Sequence, residues 1–274
     1  MTGMILVTGA NGNLGSAILT ALRDRGTPAT GGSRTPGEGT RRLDFDDPAS
    51  LDLTGVSTLV LVSAGYAEDD RVIARHAAVL DAAARDGVGH VVYTSLTTAG
   101  DHLAFAAAHR ATERLLRTGA LPWTILRNGL YAELFGALLT WNDGGLESPF
   151  GDGALAAVAR ADLADAAAAV AADPAPYRGR TLDLVGPPVT AGQVADRLGV
   201  PHRTIGLEEY RRLLDETPGL LPFQPPMLAS IATGIRHGFL AGTTPDLTDL
   251  LGRPARDPLA VAVSVAAASA SAIA

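Results

Sequence analysis

The sequence contains neither cysteine nor lysine, and each absence removes a class of chemistry. Without Cys, the chain has no disulfide, no thiolate nucleophile and no cysteine metal site. All 22 of its Lys or Arg positions are Arg, which excludes a Schiff base and the Tyr-x-x-x-Lys pair that many reductases use. Covalent catalysis through a thiol or an amine is therefore excluded.

Clustered positive charge and long apolar runs are also lacking. The net charge is −7, which argues against nucleic acid as a partner because phosphate binding needs clustered cations. The apolar tail, 259–274, is shorter than the roughly 20 residues that span a membrane, and we predict a packed or frayed terminal helix there. The six His are scattered without metal-ligand spacing. We expect a cytoplasmic protein with no metal site and no membrane partner.

A strand, a glycine-rich turn and a helix open the chain. The apolar run from Met4 to Val7 is followed by glycines at 9, 12 and 15, and an amphipathic helical pattern begins at once. In such a unit the glycines allow a tight turn, a close approach to a pyrophosphate and close packing of the helix on the sheet. The helix N-terminus attracts the phosphates. Dinucleotide contacts are therefore predicted at Gly9, Asn11, Gly12, Asn13, Leu14 and Gly15.

Apolar strand patterns alternate with helical patterns along the first half of the chain. This alternation predicts an α/β fold of Rossmann type, with a doubly wound parallel sheet and helices on both faces. We expect residues 1–140, joined by 154–185, to form an NAD(P)-binding domain. A smaller C-terminal substrate lobe is predicted from 141–153 and 186–258, followed by the Ala/Ser-rich tail 259–274.

Three local features are also predicted. Helical patterns cover residues 49–53 and 102–117, and turns are predicted at 142–145 and 149–153. His90 and His102 are interpreted as surface residues.

Polar residues follow several predicted strands, where ligands bind in open α/β sheets. About 20 residues past the glycines, NAD-preferring sites carry an acid, but this chain has Ser33 and Arg34. A guanidinium can pair with a 2′-phosphate, so NADP(H) is favoured over NAD(H); a solvated loop arginine is the alternative. Asp44 and Phe45 are expected beside the adenine. Further cofactor contacts are predicted at Ser63, Ala64, Gly65 and Thr94.

Four sequence blocks carry a family resemblance. They are TGANGNLG at 8–15, YTSL at 93–96, HRATE at 109–113 and LRNGLY at 126–131. In this order they resemble the NmrA-like atypical short-chain dehydrogenases, and most of all the NAD(P)H:quinone oxidoreductase type 2 subgroup. The resemblance implies an extended short-chain dehydrogenase fold, NADPH binding and hydride transfer to a quinone or quinone-like carbonyl compound. A homodimer is a further expectation.

Four residues are candidates for catalysis. Related reductases place a Lys at the position of His109, touching the nicotinamide ribose, so this His could bind the ribose or relay a proton near its own pKa. Ser95 and Asn128 could hydrogen-bond the acceptor, although a strand-end cap and a turn explain them equally well. Tyr131 lines the pocket or packs in the core.

Two other functions stay open. The family also contains redox sensors that bind dinucleotides and a protein partner without turnover. A tailoring reductase or isomerase of secondary metabolism would use the same fold. Residues 64–70 replace an expected serine-rich loop, so the acceptor itself is open.

Overall fold

A seven-stranded parallel sheet forms the centre of the molecule. The computed structural model describes residues 3–37, 39–64 and 67–271. The sheet order is β3-β2-β1-β4-β5-β6-β10, and every pairing in it is parallel. Its strands are β1 (Met4–Thr8), β2 (Ala29–Ser33), β3 (Thr40–Arg42), β4 (Val56–Val62), β5 (His90–Leu96), β6 (Trp123–Asn128) and β10 (Thr181–Leu184). The predicted Rossmann-type α/β fold is confirmed.

Ten helices and five short strands complete the described chain. The helices are α1 (Asn13–Asp24), α2 (Asp69–Arg85), α3 (Ala106–Thr118), α4 (Ala132–Ala137), α5 (Arg160–Ala172), α6 (Ala191–Leu198), α7 (Leu207–Glu216), α8 (Gln224–Arg236), α9 (Asp246–Leu251) and α10 (Pro258–Ser271). The short strands are β7 (Thr140–Asn142), β8 (Gly145–Ser148), β9 (Ala154–Ala156), β11 (Pro188–Thr190) and β12 (His202–Thr204). No helix within the described ranges is long and apolar enough to cross a membrane.

Both faces of the sheet are buried, as parallel sheets require. On one face, Ile18 and Leu22 of α1 pack with Ala167 of α5. On the other face, Val79 of α2 and Leu116 of α3 cover the sheet. Because the strand order reverses between β1 and β4, a crevice opens beyond their carboxyl ends, and this is where such folds bind ligands.

A second core lies between α4, α6, α8 and α10. Phe135 and Phe150 stack there with centroids 5.4 Å apart, both fully buried. The C-terminal tail belongs to this core, because Ala262 and Ala266 of α10 are buried. Gly136 of α4 leaves room for the backbone of α10, since a Cβ at this position would overlap Ala262. The tail is therefore a packed helix as far as the structure describes it; residues 272–274 lie outside the described residues.

Two local predictions are wrong. The predicted helix at 49–53 is only a short 3₁₀ turn, Pro48–Ser50. The helix predicted from residue 102 begins at Ala106, after a separate turn at Thr98–Gly100. The two predicted turns are present, at residues 143–144 between β7 and β8 and at residues 151–152, and β7 and β8 join β12 in a small sheet. At the two mispredicted helices, local propensity is a weak signal that the tertiary fold overrides.

A buried carboxylate ties α3 to two central strands. Glu113 is completely buried. Its Oε1 accepts from Ser95 Oγ at 2.7 Å and Arg110 Nη1 at 2.9 Å. Arg127 of β6 binds both carboxylate oxygens, with Nε 2.9 Å from Oε1 and Nη2 2.6 Å from Oε2. Two of the family blocks, around residues 109–113 and 126–131, thus meet in one ion pair.

Replacing Glu113 tests how strongly this contact holds the fold. Because breaking a buried pair leaves an uncompensated charge, Glu113→Gln is expected to lower the free energy of unfolding by about 3 kcal/mol. Glu216→Gln is the matched control, since Glu216 pairs with Arg212 with both side chains largely exposed, and its expected cost is below about 0.5 kcal/mol. Denaturant unfolding measures both. Equal costs for the two variants would contradict the account.

Candidate functional site

The turn after β1 exposes the start of α1. Gly9 has φ +63°, and its carbonyl accepts from the N–H of Gly12 at 2.8 Å. A Cβ at Gly15 would overlap that same carbonyl, so the turn can fold this tightly only with glycine there. The N-cap residue Gly12 makes no side-chain cap hydrogen bond. The N–H groups of the first turn, including those of Asn13 and Leu14, therefore face outward as an anion-binding end.

A cleft of about 730 Å³ runs from this turn along the strand ends. Nine of the predicted cofactor residues line it: Gly9, Asn11, Gly12, Ser33, Arg34, Asp44, Phe45, Ser63 and Ala64. Leu14, Thr94 and His109 instead line a second, adjoining cleft. Asn13 and Gly15 lie in the first turn of α1. Gly65 lies outside the described residues.

The loop after β2 is held by side chains at the first cleft. Asn11 Nδ2 donates to Ser33 Oγ at 2.8 Å and to the carbonyl of Thr35 at 3.1 Å. Arg34 is exposed at the cleft between them. The two hydrogen bonds from Asn11 thus hold the loop that carries the Arg34 guanidinium beside the glycine turn.

One ion pair in this cleft was not predicted from the sequence. Arg75 of α2 binds Asp46 through two hydrogen bonds, Nε–Oδ1 at 2.8 Å and Nη2–Oδ2 at 2.6 Å. The hydrogen bonds from Arg75 lower the pKa of Asp46 to about 2. Both residues line the cleft. No local pattern marks them, because they lie on separate elements.

The second cleft has a volume of about 260 Å³ and is mostly apolar. Phe105, Leu134, Met227 and Ile231 line it; the sequence analysis missed all four, since α4 and α8 reach the site only through the tertiary fold. Val62, Ser63 and Tyr131 line both clefts, so the two adjoin.

Two buried polar atoms near this junction lack partners. Ser63 Oγ and Asn128 Oδ1 have no hydrogen bond to the described part of the chain. Leaving a buried polar group unpaired costs about 1–3 kcal/mol. Together with the glycine turn, these atoms fit a ligand that brings both phosphates and hydrogen-bonding groups.

His109 is neutral at physiological pH. It lines the second cleft, and burial lowers its pKa to about 4. The expectation that it sits near its pKa at neutral pH is therefore wrong. Tyr93 OH lies 3.0 Å from His109 Nδ1, and burial raises the pKa of Tyr93 well above its usual range. Because Nδ1 has this partner, Nε2 is the ring nitrogen of His109 that is available to a ligand in the cleft.

Another histidine supports the loop between the clefts. His76 is fully buried, and its Nε2 accepts from the N–H of Ala64 at 3.0 Å. Its Nδ1 lies 2.8 Å from Thr112 Oγ1, which itself donates to the carbonyl of Ala108. The neutral Nδ1–H tautomer satisfies all of these bonds. Burial lowers the pKa of His76 to about 3.

The other candidates have different surroundings. The hydroxyl of Ser95 donates to Glu113, so a bond to an acceptor would compete with the buried ion pair. The guanidinium carbon of Arg160 lies over the ring of Tyr131, 5.1 Å from the ring centroid. His102 is exposed as predicted. His90 is buried against Thr124, at 2.9 Å, so its interpretation as a surface residue is wrong.

Comparison with known proteins identifies relatives over almost the whole chain. A family model described as NAD(P)H-binding matches residues 9–174. The chain is 31% identical to quinone oxidoreductase 2 of Escherichia coli over 274 aligned residues, 92% of this chain and 94% of that protein. A structure of this relative complexed with NADPH superposes with a TM-score of 0.82 at 29% identity, over 97% of this chain and 100% of that one.

Two further relatives act on other molecules. A structure of Citrobacter sp. triphenylmethane reductase complexed with NADP(H) matches with a TM-score of 0.85 and 29% identity, covering 96% of this chain and 99% of that one. The (4-alkanoyl-5-oxo-2,5-dihydrofuran-3-yl)methyl phosphate reductase of Streptomyces griseus is 30% identical, over 92% of this chain and 94% of that protein.

The buried histidines predict an acid-sensitive fold. His76, His90 and His109 have pKa values lowered to about 3, 4 and 4, whereas an unfolded His protonates near pH 6.5. As the pH falls below about 6.5, these histidines take up protons in the unfolded chain but not in the folded chain. The free energy of unfolding therefore falls by up to about 1.4 kcal/mol per pH unit for each His. Denaturant unfolding at pH 7.5 and 5.5 measures the loss.

The control is the interval from pH 7.5 to 8.5. These side chains are neutral there in both the folded and the unfolded state, so they should not change the free energy of unfolding. Equal free energies of unfolding at pH 7.5 and 5.5 would show that the three histidines do not resist protonation in the fold.

Proposed function

We propose that this chain, which belongs to the NAD(P)H-binding NmrA-like family, uses NADPH to reduce a quinone or quinone-like carbonyl compound. The chain is an NAD(P)H-dependent oxidoreductase related to quinone oxidoreductase 2 and triphenylmethane reductase. The acceptor and the preference for NADPH are the proposed parts. The observation that carries them is that the cleft beside the glycine turn adjoins an apolar cleft, with the unpaired Ser63 Oγ at the junction and the unpaired Asn128 Oδ1 in the apolar cleft.

The first cleft supplies the groups for a phosphorylated dinucleotide. The turn from Gly9 to Gly15 and the start of α1 would hold the pyrophosphate. Arg34 would pair with the 2′-phosphate, and Asp44 and Phe45 would meet the adenine. Close relatives carry NADP(H) or NADPH in their structures, which supports this assignment. When bound, the cofactor supplies a hydride from its nicotinamide ring.

The second cleft supplies the acceptor site. Phe105, Met227 and Ile231 give apolar walls for a planar ring system. Asn128 Oδ1 can accept from a ligand N–H, and Ser63 Oγ can donate to a ligand oxygen. His109 is neutral, so with Tyr93 donating to Nδ1 its Nε2–H can polarise the acceptor carbonyl without bringing a charge into the cleft.

Turnover with quinones tests the proposal, and a His109 variant tests the role of the imidazole. The wild type is expected to consume NADPH with simple naphthoquinones. His109→Phe removes the donor, so kcat/KM should fall by about 100-fold, while the Kd for NADPH stays within about threefold. His102→Phe is the control, because His102 lines neither cleft.

Two results would contradict this account. An absence of NADPH consumption with every quinone would reject the proposed activity and favour the sensor alternative. A loss confined to NADPH affinity in His109→Phe would assign the imidazole to the cofactor ribose instead of the acceptor.

Arg34 provides a separate test of cofactor choice. Arg34→Ala is expected to raise the Kd for NADPH by about 10-fold or more, since a charge-assisted pair with phosphate contributes about 1.5–3 kcal/mol, and to leave NADH binding nearly unchanged. Arg42→Ala has the same change in net charge but removes an exposed partner of Asp47. Fluorescence titration with both cofactors measures the effect. An equal loss for NADPH and NADH would reject the assignment.

A conjugated furanone is the second candidate acceptor. The Streptomyces griseus relative, a reductase of a furanone phosphate, is nearly as similar to this chain as the E. coli quinone oxidoreductase. This relation favours the tailoring reductase over the isomerase. A furanone tested beside the quinones separates the two acceptors by their kcat/KM.

A further inference from the structure

One charged side chain borders the apolar cleft. Asp69 is the first residue of α2 and is half-buried. It lines the cleft together with Phe105, His109 and Met227. Burial raises the pKa of Asp69, and an interaction of its carboxylate with the backbone N–H of Ala108, in the first turn of α3, offsets part of this rise. Asp69 therefore brings a carboxyl group to the wall of the apolar cleft.

No cationic side chain among the described lining residues pairs with this carboxylate. Among the described residues that line it, Asp69 alone has a charged side chain. His109 is neutral at physiological pH because burial lowers its pKa to about 4. Tyr131 also stays neutral, since burial raises its pKa. The neighbouring Asp70 is exposed and adds negative charge outside the cleft. The only charge among the described side chains that line this cleft is therefore negative.

We propose that Asp69 sets the charge preference of the acceptor site, so that cationic and neutral conjugated acceptors are reduced in preference to anionic ones. The proposal rests on the proposed function, and it names the acceptor class that this site would take. A planar cation would place its charge beside the carboxylate. It would take up a hydride at an electron-poor carbon and leave as a neutral product, with no proton required.

The same charge bears on the substrate that one relative is named for. The Streptomyces griseus enzyme reduces a phosphate ester, by its name. A phosphate entering this cleft would meet Asp69 and no cationic side chain among the described lining residues. Like charges in a partly desolvated site repel. A furanone phosphate is therefore disfavoured here, whereas an uncharged furanone is not.

A matched set of naphthoquinones tests the proposal. The reacting ring stays the same, and the substituent is hydrogen, a sulfonate or a trimethylammonium-methyl group. For Asp69→Asn relative to wild type, kcat/KM should fall about 10-fold with the cation, which corresponds to about 1.4 kcal/mol. It should change less than about twofold with the neutral ring and rise with the anion. Ratios of variant to wild type cancel differences in reduction potential.

Asp70→Asn is the matched control, because it removes the same charge from the next residue of α2 outside the cleft. Calorimetric Kd values for the three compounds with NADP⁺-loaded protein give a readout that needs no turnover. A charge-ordered shift in Kd without any NADPH consumption would reject the proposed function and keep the Asp69 assignment. Equal shifts for all three compounds, or the same pattern in Asp70→Asn, would overturn the Asp69 assignment.

Discussion

The buried pair of Glu113 and Arg127 is the contact on which the site depends. A carboxylate with no solvent exposure is stable only when charge and hydrogen bonds compensate it, and Ser95, Arg110 and Arg127 do so from β5, α3 and β6. His109 lies one helical turn before Glu113, and Asn128 follows Arg127 directly. The ion pair thus fixes the distance between the two polar groups of the acceptor cleft. A folding constraint and a functional geometry share the same residues.

Charge is distributed unequally along the two clefts. At one end the start of α1 and Arg34 provide groups that attract phosphates, beside Asp44 and the paired Asp46 and Arg75. At the other end Asp69 provides negative potential in an apolar surrounding. His109 lines the same cleft as Asp69 and is neutral, since burial depresses its pKa. A dinucleotide with its phosphates at the start of α1 would leave its ring end beside the acceptor, and the opposite orientation would bring phosphates towards Asp69.

The parts of this site that could be predicted from the sequence are local. The glycine turn, Arg34 and the polar strand ends follow from short motifs, because a parallel sheet brings its carboxyl ends to one edge. Burial of His90, the support of Ala64 by His76 and the pair of Arg75 with Asp46 join residues far apart in sequence. The walls from α8 and the charge of Asp69 also arise only when helices dock. Such side chains have no distinctive spacing, so periodicity could not identify them.

The central claim is that an acceptor in the apolar cleft receives hydride directly from a nicotinamide ring at the junction beside Ser63 and Asn128. Transfer of deuterium from [4,4-²H₂]NADPH tests it most directly, with an acceptor that keeps the transferred hydrogen on carbon, such as a cationic triphenylmethane dye. Mass spectrometry of the reduced dye should find one deuterium per molecule. Reduced dye without deuterium would contradict direct transfer between the two clefts.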